Sequence, residues 1–211
     1  MLLKKATKKE IGTITNTLVR AFCKDLLLQH LSCGSERVLQ LVFQALVLQG
    51  LKFGKVYVSS FCFEAVAIWV PSSLSAFAIL ASGWKQLLVC SLVNPRATWR
   101  IVSYLLFFCS EIEERVVPGL HWTLFPLGVD PNYQYQGKGT ALMEEALEQF
   151  NGFDELYMDT DPETEGFYKR LGFQVVQKTP WKNGLVHVAM VRPAGVSVSA
   201  EAKEFKILVP A

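Results

Sequence analysis

Two glycines at the start of a predicted helix give this chain its clearest candidate for anion binding. They are Gly137 and Gly139, in the stretch Leu127–Thr140, where a strand pattern passes through a short loop into a helix. The helix is marked by apolar residues at helical spacing: Leu142, Met143, Ala146, Leu147 and Phe150. Backbone N–H groups at a helix N-terminus lack intrahelical partners, and the helix dipole adds positive potential. Glycine removes the Cβ atoms that would keep a phosphate away from those amides, and Lys138 adds a charge at the rim.

The spacing of this loop excludes two common phosphate-binding motifs. A Walker loop needs four residues between a glycine and Gly-Lys-Ser/Thr, and a dinucleotide fingerprint needs a third glycine that does not follow Gly139 here. The observed pattern is Gln134-x-x-Gly137-x-Gly139. A second segment lies downstream, with the sequence Phe167-Tyr168-x-x-Leu171-Gly172-Phe173.

Together these segments resemble the acetyl-CoA loop and the Phe-Tyr-x-x-Leu-Gly-Phe segment of the GNAT N-acetyltransferase superfamily, in the family's order and spacing. An ordinary helix cap with glycines for tight packing would explain the first segment, but it does not predict the second. The resemblance implies an α/β (α+β) fold with a mixed, mostly antiparallel sheet of six to seven strands flanked by helices. It also implies an enzyme that moves an acetyl group from acetyl-CoA to a primary amine of a small molecule or protein.

The resemblance also implies which residues bind the coenzyme. Main-chain amides of the loop would hold the pyrophosphate, with Gln134 shaping the turn; the loop residues are Gln134, Tyr135, Gln136, Gly137, Lys138, Gly139 and Thr140. Backbone groups around Leu127 and Val129 would bind the pantetheine arm where the fourth strand splays from the fifth, and a main-chain N–H there would polarise the thioester. Asp161 stands where the family often has an asparagine, and an ionised aspartate can accept but not donate a hydrogen bond.

Two residues are predicted to take part in proton transfer. Tyr168 occupies the family's general-acid position, and a phenol with a pKa near ~10 is well matched to a leaving thiolate of similar basicity. Its alternative role is packing near Phe167 and Phe173. Many members of the family have a glutamate on the fourth strand as the general base that deprotonates the amine. This chain has none between Trp122 and Val129, so the general base is less defined than the acid. Asp159 is the residue that we assign, while other sources of a base stay open: His121, Glu114, a water relay or capture of an amine that is already neutral.

A second function is consistent with the same motifs. The missing glutamate on the fourth strand and the aspartate at position 161 fit a protein that binds an acyl-CoA without turnover, as a sensor or interaction partner. Release of free thiol across a panel of amines would separate the enzyme from the binder.

Composition narrows the class of protein. The chain has 211 residues, of which 51% are hydrophobic and 19% charged, so we expect one folded domain over residues 1–193 with a tail over 194–211. A net charge of +2 does not suggest nucleic acid. Five dispersed cysteines fit reduced thiols in a cytoplasmic protein, and three lone histidines predict no metal cluster. No uninterrupted apolar run reaches the ~18–20 residues of a membrane span.

The elements that position these residues follow from local signals. We predict a strand over 2–7, a capping box at Thr7–Glu10, and helices from Ile11 to near Asp25 and from Ser35 to Gly54. Next come a hairpin over 55–60 and 64–70 and an insertion over 72–120. The insertion contains a helix over 76–92 and another from Asn94-Pro95, and we expect it to supply an acceptor pocket or a homodimer surface.

The second half of the chain is predicted to complete the sheet. A strand over 121–129 contains Pro126 and Gly128, which suggest a bulge or a splayed edge. A fifth strand over 154–159, a helix over 163–171 ended by Gly172, and a hairpin over 173–178 and 185–191 follow it.

Overall fold

The computed structural model describes residues 3–59, 62–73, 83–107, 117, 119–150, 154–181 and 184–195. Several predicted features fall partly outside these ranges. They are the first turns of the helix over 76–92, the end of the insertion with Glu114, Asn183 of the last hairpin, and the tail from residue 196 onward.

The described residues contain one mixed sheet of seven strands, which confirms the predicted fold of six to seven strands. Their order is β1-β2-β3-β4-β5-β7-β6, and every neighbouring pair is antiparallel except β4 with β5, which is parallel. The strands are β1 Leu3–Lys5, β2 Lys55–Ser59, β3 Ala65–Pro71, β4 Trp122–Val129, β5 Leu156–Thr160, β6 Gln174–Pro180 and β7 Val186–Arg192. The parallel pair needs a crossover, which runs through the helix that follows the glycine loop.

Between β1 and β2 the structure contains one α-helix more than predicted. The capping box is present, since the Glu10 carboxylate accepts hydrogen bonds from the Thr7 N–H at 2.7 Å and hydroxyl at 2.9 Å. After this 3-10 turn, α1 (Ile11–Phe22) ends before Asp25, and α2 (Leu26–Ser32) and α3 (Glu36–Phe53) follow. The prediction took Asp25 as the end of a helix. In the structure it begins one, because its carboxylate accepts from the Leu28 N–H at 2.7 Å.

The described part of the insertion forms α4 (Trp84–Val93) and α5 (Pro95–Phe107). As predicted, Asn94 caps α5, and its Oδ1 accepts from the Ala97 N–H at 3.0 Å. Both helices pack on α2 and α3 through a core of Leu31, Val38, Leu41, Cys90, Ala97 and Ile101. Across the described ranges no single helix has the length and apolarity to cross a membrane, and only α2 with α3, bent by 104°, pass that test as a pair.

Two further helices, α6 (Lys138–Leu147) and α7 (Glu165–Lys169), follow β4 and β5. They cover one face of the sheet, which we call the α6 face, with a core that includes Trp69, Leu142, Met158 and Tyr168. The opposite face is covered by α1 and α3 over β2 and β3, with a core that includes Leu18, Phe43 and Ile68. Further along this second face, called the α3 face, Tyr104 of α5 packs beside Tyr157 and Ala189.

Candidate active site

The β4 strand separates from β5 halfway along its length. Leu124 is the last residue of β4 with a partner on β5, Met158. On the other side, Leu124 lies opposite Trp69 and Leu127 opposite Ala67, so β4 advances three residues where β3 advances two. This bulge contains Pro126, which has no N–H to donate. The second half of β4 therefore borders a gap toward β5, as the proline and glycine predicted.

Backbone N–H groups of Leu127 and Val129 face this gap. The Asp130 N–H donates to the Glu64 carbonyl at 2.8 Å, toward β3. Because the direction of backbone groups alternates along a strand, the N–H groups of Val129 and Leu127 point the other way. The Val129 carbonyl accepts a bond from Gln134 Nε2 at 3.1 Å, which agrees with that direction. Gln134 thereby ties the glycine loop to the end of β4.

Asp130 anchors the start of the glycine loop. It is only 4% exposed, and its carboxylate accepts from Arg20 Nε of α1 at 2.6 Å and from the Asn132 N–H at 3.0 Å. Burial alone would raise the pKa of this carboxyl, but the bonds from Asn132 and Arg20 outweigh it and lower the pKa. The loop is thus fixed to both β4 and α1.

Gly137 and Gly139 serve the loop in different ways. Gly137 has a φ of +73° and stands before the first residue of α6, a conformation that favours glycine. A Cβ on Gly139 would lie 3.2 Å from Val129 Cγ2, so this glycine lets α6 approach β4 closely. The first helical bond joins the Ala141 N–H to the Gly137 carbonyl at 2.9 Å. The N–H groups of residues 138–140 come before this first helical hydrogen bond, so they have no acceptor within the helix and can donate to a bound anion.

The side chains of the loop are mostly exposed or bound to protein groups. Lys138 Nζ forms an ion pair with Glu64 at 2.8 Å, so the positive charge predicted at the rim has a carboxylate partner. Gln136 donates to the Asn132 carbonyl at 3.0 Å. Tyr135, with a φ of +59°, is fully exposed, and Gly137 is also exposed. Main-chain amides are therefore the loop's clearest anion donors.

Tyr168 lies in α7 on the α6 face and is 7% exposed. Its ring meets Phe167 and Phe173 edge-on, with centroids 4.9 and 5.9 Å away, so the packing role is present. Burial, and secondly the charge of Asp161, raise the pKa of the phenol above its ordinary value. The hydroxyl stays protonated at neutral pH and can donate a hydrogen bond.

Asp161 is committed to the start of α7. Its Oδ1 accepts from the Thr164 N–H at 2.8 Å and from the Thr164 hydroxyl at 3.2 Å. The residue lies directly after β5, at the gap, where its remaining lone pairs could accept a further bond.

Asp159 is paired with a histidine that the sequence did not single out. The Asp159 carboxylate lies 2.7 Å from His187 Nδ1, and His187 is 5% exposed. Asp159 stands opposite Ala189 in the β5–β7 ladder, two residues from His187, so both side chains project from the α3 face. Burial raises the pKa of Asp159 and outweighs the opposite effect of His187. In the sequence, only the alternation of side chains between the two faces of the predicted last strand could have indicated that His187 is buried.

Aromatic rings surround the histidine. The rings of Tyr104 and Trp181 have centroids 5.8 and 5.6 Å from that of His187. Asp25, at the start of α2, is also close enough to act electrostatically: burial raises its pKa, Asp161 raises it further, and His187 acts in the opposite direction. The α3 face of the gap thus holds acidic groups, a histidine and aromatic walls.

His121, another proposed base, stands apart from the gap. His121 precedes β4 at the end remote from the bulge, where its Nδ1 lies 3.1 Å from the Gly119 carbonyl. Glu114 lies outside the described residues. Among the residues that the structure describes, no three His, Cys, Asp or Glu side chains are grouped as a metal site.

Comparison with known proteins finds one matching domain family and solved structures of similar fold. Residues 112–193 match the family described as "Acetyltransferase (GNAT) domain". A Corynebacterium glutamicum structure described as histone acetyltransferase HPA2 and related acetyltransferase is 21% identical, with a TM-score of 0.65 over 92% of this chain and 96% of that chain. An agmatine N-acetyltransferase variant in apo form is 14% identical, with a TM-score of 0.62 over 90% and 97% of the two chains.

A third similar structure is mosquito arylalkylamine N-acetyltransferase-like 5b, which is 16% identical, with a TM-score of 0.57 over 90% of this chain and 98% of that chain. At these identities the likeness shows a shared fold. The domain match covers the strands and helices that form the gap and the glycine loop.

Proposed function

We propose that this chain is an N-acetyltransferase of the GNAT superfamily that moves an acetyl group from acetyl-CoA to a primary amine, which its domain match over residues 112–193 and its fold support. The observation that carries the proposal is the coincidence of two features. The amides that open α6 and the N–H groups of Leu127 and Val129 border one gap, which opens where β4 parts from β5. The first set suits a diphosphate, and the second suits an extended arm ending in a thioester.

The coenzyme fits the residues that are present. Open space lies where a Cβ of Gly137 would be, so the loop amides can be approached from solvent. An N–H of Leu127 or Val129 would donate to the thioester carbonyl oxygen and stabilise the negative charge that develops there. Tyr168, whose phenol is protonated at neutral pH, would donate a hydrogen bond to the departing sulfur from the α6 face.

The reaction needs a neutral amine on the opposite face. The amine lone pair attacks the thioester carbon, the new C–N bond forms, and the C–S bond breaks as its electron pair moves to sulfur. The amine loses one proton, for which the Asp159–His187 pair is the proposed acceptor, and the departing thiolate accepts a hydrogen bond from the Tyr168 hydroxyl and takes its own proton from solvent. Asp159 fixes the orientation of the imidazole, as a carboxylate does in other histidine bases.

The proposal is tested by measuring binding and turnover separately. Titration calorimetry with acetyl-CoA measures binding, and release of free coenzyme thiol across a panel of primary amines measures transfer. We expect saturable binding and turnover with at least one class of amine. Binding without release of thiol above the rate in buffer would favour the acyl-CoA-binding alternative, and no binding would contradict both.

We also propose a cytoplasmic location. Among the described residues Cys23, Cys33, Cys62 and Cys90 are free thiols, which supports a reducing compartment.

A further inference from the structure

An apolar cavity of about 110 Å³ lies between the α3 face of the sheet and the insertion. Its walls come from α2, α3, α4 and α5, and they include Leu31, Leu39, Leu46, Leu87, Cys90 and Ile101. The cavity is part of the contact between the insertion and the rest of the domain. It is distinct from the glycine loop and from Tyr168, which belong to the opposite face.

Two side chains connect this cavity with the gap. Phe125 lines the cavity and is the residue before Pro126 in the β4 bulge. Tyr104 also lines it, and the Tyr104 ring lies 5.8 Å from that of His187. A molecule whose amine reaches the Asp159–His187 pair therefore has an apolar space next to it on the same face.

The cavity wall includes Ser32, whose side-chain hydroxyl is a polar group that could bind a ligand. The Ser32 hydroxyl is buried, in a residue only 1% exposed, and it has no hydrogen-bond partner among the described residues. Gln49 and Gln86 also border the cavity. A buried hydroxyl without a partner is unfavourable, so Ser32 is the candidate partner for a polar atom that enters this otherwise apolar cavity.

We propose that this cavity receives the apolar end of the acceptor, so that the substrate class is a primary amine on an alkyl chain or a single ring. The inference rests on the proposed acetyl transfer and adds the acceptor to it. Asp25, Asp159 and Asp161 attract the ammonium form to the gap, while the cavity binds the hydrocarbon. A cavity of about 150 Å³ holds benzene in another protein, so this one holds about four to five carbon atoms.

The first test is the dependence of kcat/KM on chain length in linear alkylamines from ethylamine to octylamine. Burial of each methylene is expected to raise kcat/KM about fourfold, over about four to five carbons, after which the increase stops. Putrescine and agmatine, which carry a second charge, should fall below hexylamine. Turnover that is independent of chain length would overturn the proposal.

Two variants of α3 test whether the dependence of kcat/KM on chain length arises in this cavity. Ala45 lines it, so Ala45→Leu fills it and should reduce the ratio of hexylamine to ethylamine turnover at least tenfold. Gln44→Leu adds an apolar side chain at the adjacent exposed position of α3 and should keep the wild-type ratio. An unchanged ratio in Ala45→Leu would contradict the assignment.

A second variant, Ser32→Ala, removes the hydroxyl from the cavity wall without filling the cavity. It should lower kcat/KM for 6-aminohexan-1-ol about fivefold relative to hexylamine, because the alcohol loses its hydrogen-bond partner. An equal effect on the two amines would exclude a role for Ser32 in recognition.

A binding measurement separates this proposal from the enzymatic one. Hexan-1-ol has no amine, yet it should raise the thermal midpoint of the wild type and of Gln44→Leu but not that of Ala45→Leu. If no amine is acetylated but this pattern appears, the cavity assignment stands and acetyl transfer fails. If amines are acetylated and hexan-1-ol leaves all midpoints unchanged, the cavity assignment fails alone.

Discussion

The surroundings of Tyr168 determine which form of its phenol can take part in the reaction. Burial and the nearby carboxylate of Asp161 raise its pKa, so the hydroxyl keeps its proton well above neutral pH. A phenol in this state stabilises a leaving thiolate by a hydrogen bond and is a weaker acid than free tyrosine. Its ring packs against Phe167 and Phe173, so the catalytic and packing roles are compatible.

Replacement of Tyr168 by Phe keeps the ring and removes the hydroxyl. We expect kcat to fall about 10²-fold or more, with the dissociation constant for acetyl-CoA within about twofold of wild type. Tyr57→Phe is the control, because Tyr57 is also buried on the α6 face but lies in β2. Steady-state kinetics and calorimetry measure both effects; an unchanged kcat in Tyr168→Phe would remove this residue from the mechanism.

If the Asp159–His187 pair is the general base, kcat should decrease at low pH, which gives the pH profile of kcat an acid limb. Burial raises the pKa of Asp159 above its ordinary value of 3.8, so the pair gains a proton at a higher pH than an exposed aspartate. The protonated pair cannot accept the proton of the amine, and kcat should fall as the pH decreases through that raised value.

Substitution of either partner should change this limb. We expect Asp159→Asn and His187→Gln each to lower kcat about 10²-fold, and the double variant to lose little more, because the residues act as one unit. Additive losses, or wild-type acid limbs in both single variants, would contradict a shared role as base.

At the scale of elements, the glycine loop depends on one unusual backbone conformation. Gly137→Ala places a Cβ on a residue with a φ of +73°, which is expected to cost about 1 kcal/mol of stability. The loop amides should lose their alignment, so affinity for acetyl-CoA should fall about tenfold or more.

Gly166→Ala is the matched control for this change. Gly166 lies inside α7, and its Cβ would meet nothing within 4 Å. Alanine there should raise the free energy of unfolding by about 0.5–1 kcal/mol and leave coenzyme affinity unchanged. Urea unfolding and calorimetry on both variants test the pair; equal coenzyme affinity in Gly137→Ala and wild type would show that the loop conformation is not required.

The bond between Arg20 and Asp130 joins α1 to the same loop. The pKa of Asp130 is lowered from 3.8, so the folded state favours the carboxylate. Its contribution to stability is therefore complete above the ordinary pKa of 3.8 and is lost as the pH falls through the lower value in the folded state.

Asp130→Asn tests that contribution. The variant should be less stable than wild type by about 1 kcal/mol at pH 7, a modest value because Arg20 is half exposed. Urea unfolding of both proteins should show the difference shrinking below pH 3.8. A difference that stays constant or grows on acidification would contradict this account.

Local sequence signals predicted most elements. The capping residues Thr7, Ser35 and Asn94 mark helix starts that the structure contains, and Pro126 with Gly128 marked the β4 bulge. The seven-residue α2 was missed because Asp25 was assigned to the preceding helix. A helix of seven residues has too few apolar positions to show the 3.6-residue spacing by which helices are predicted.

The partner of Asp159 could not be found in this way. Asp159 and His187 are 28 residues apart and meet only because β7 lies between β5 and β6. The sequence predicts a final hairpin, but the hairpin alone does not determine which of its strands pairs with β5. The contacts between Tyr104 and His187 depend in turn on where the insertion packs.

Across the whole molecule, the sheet separates two sets of groups at one gap. The glycine loop, α6 and Tyr168 lie on one side, while Asp159, His187 and the apolar cavity lie on the other. The coenzyme and the acceptor would thus approach from opposite faces. The described part of the insertion leaves Leu92 and Trp99 largely exposed, and the homodimer surface that the sequence suggested there remains a prediction for light scattering of the purified protein.

A crystal structure with bound coenzyme A tests the central claim most directly. We expect the diphosphate within hydrogen-bond distance of the N–H groups of residues 138–140, the pantetheine arm beside Leu127 and Val129, and the sulfur next to the Tyr168 hydroxyl. A coenzyme bound elsewhere, with this gap empty or filled by protein side chains, would contradict it.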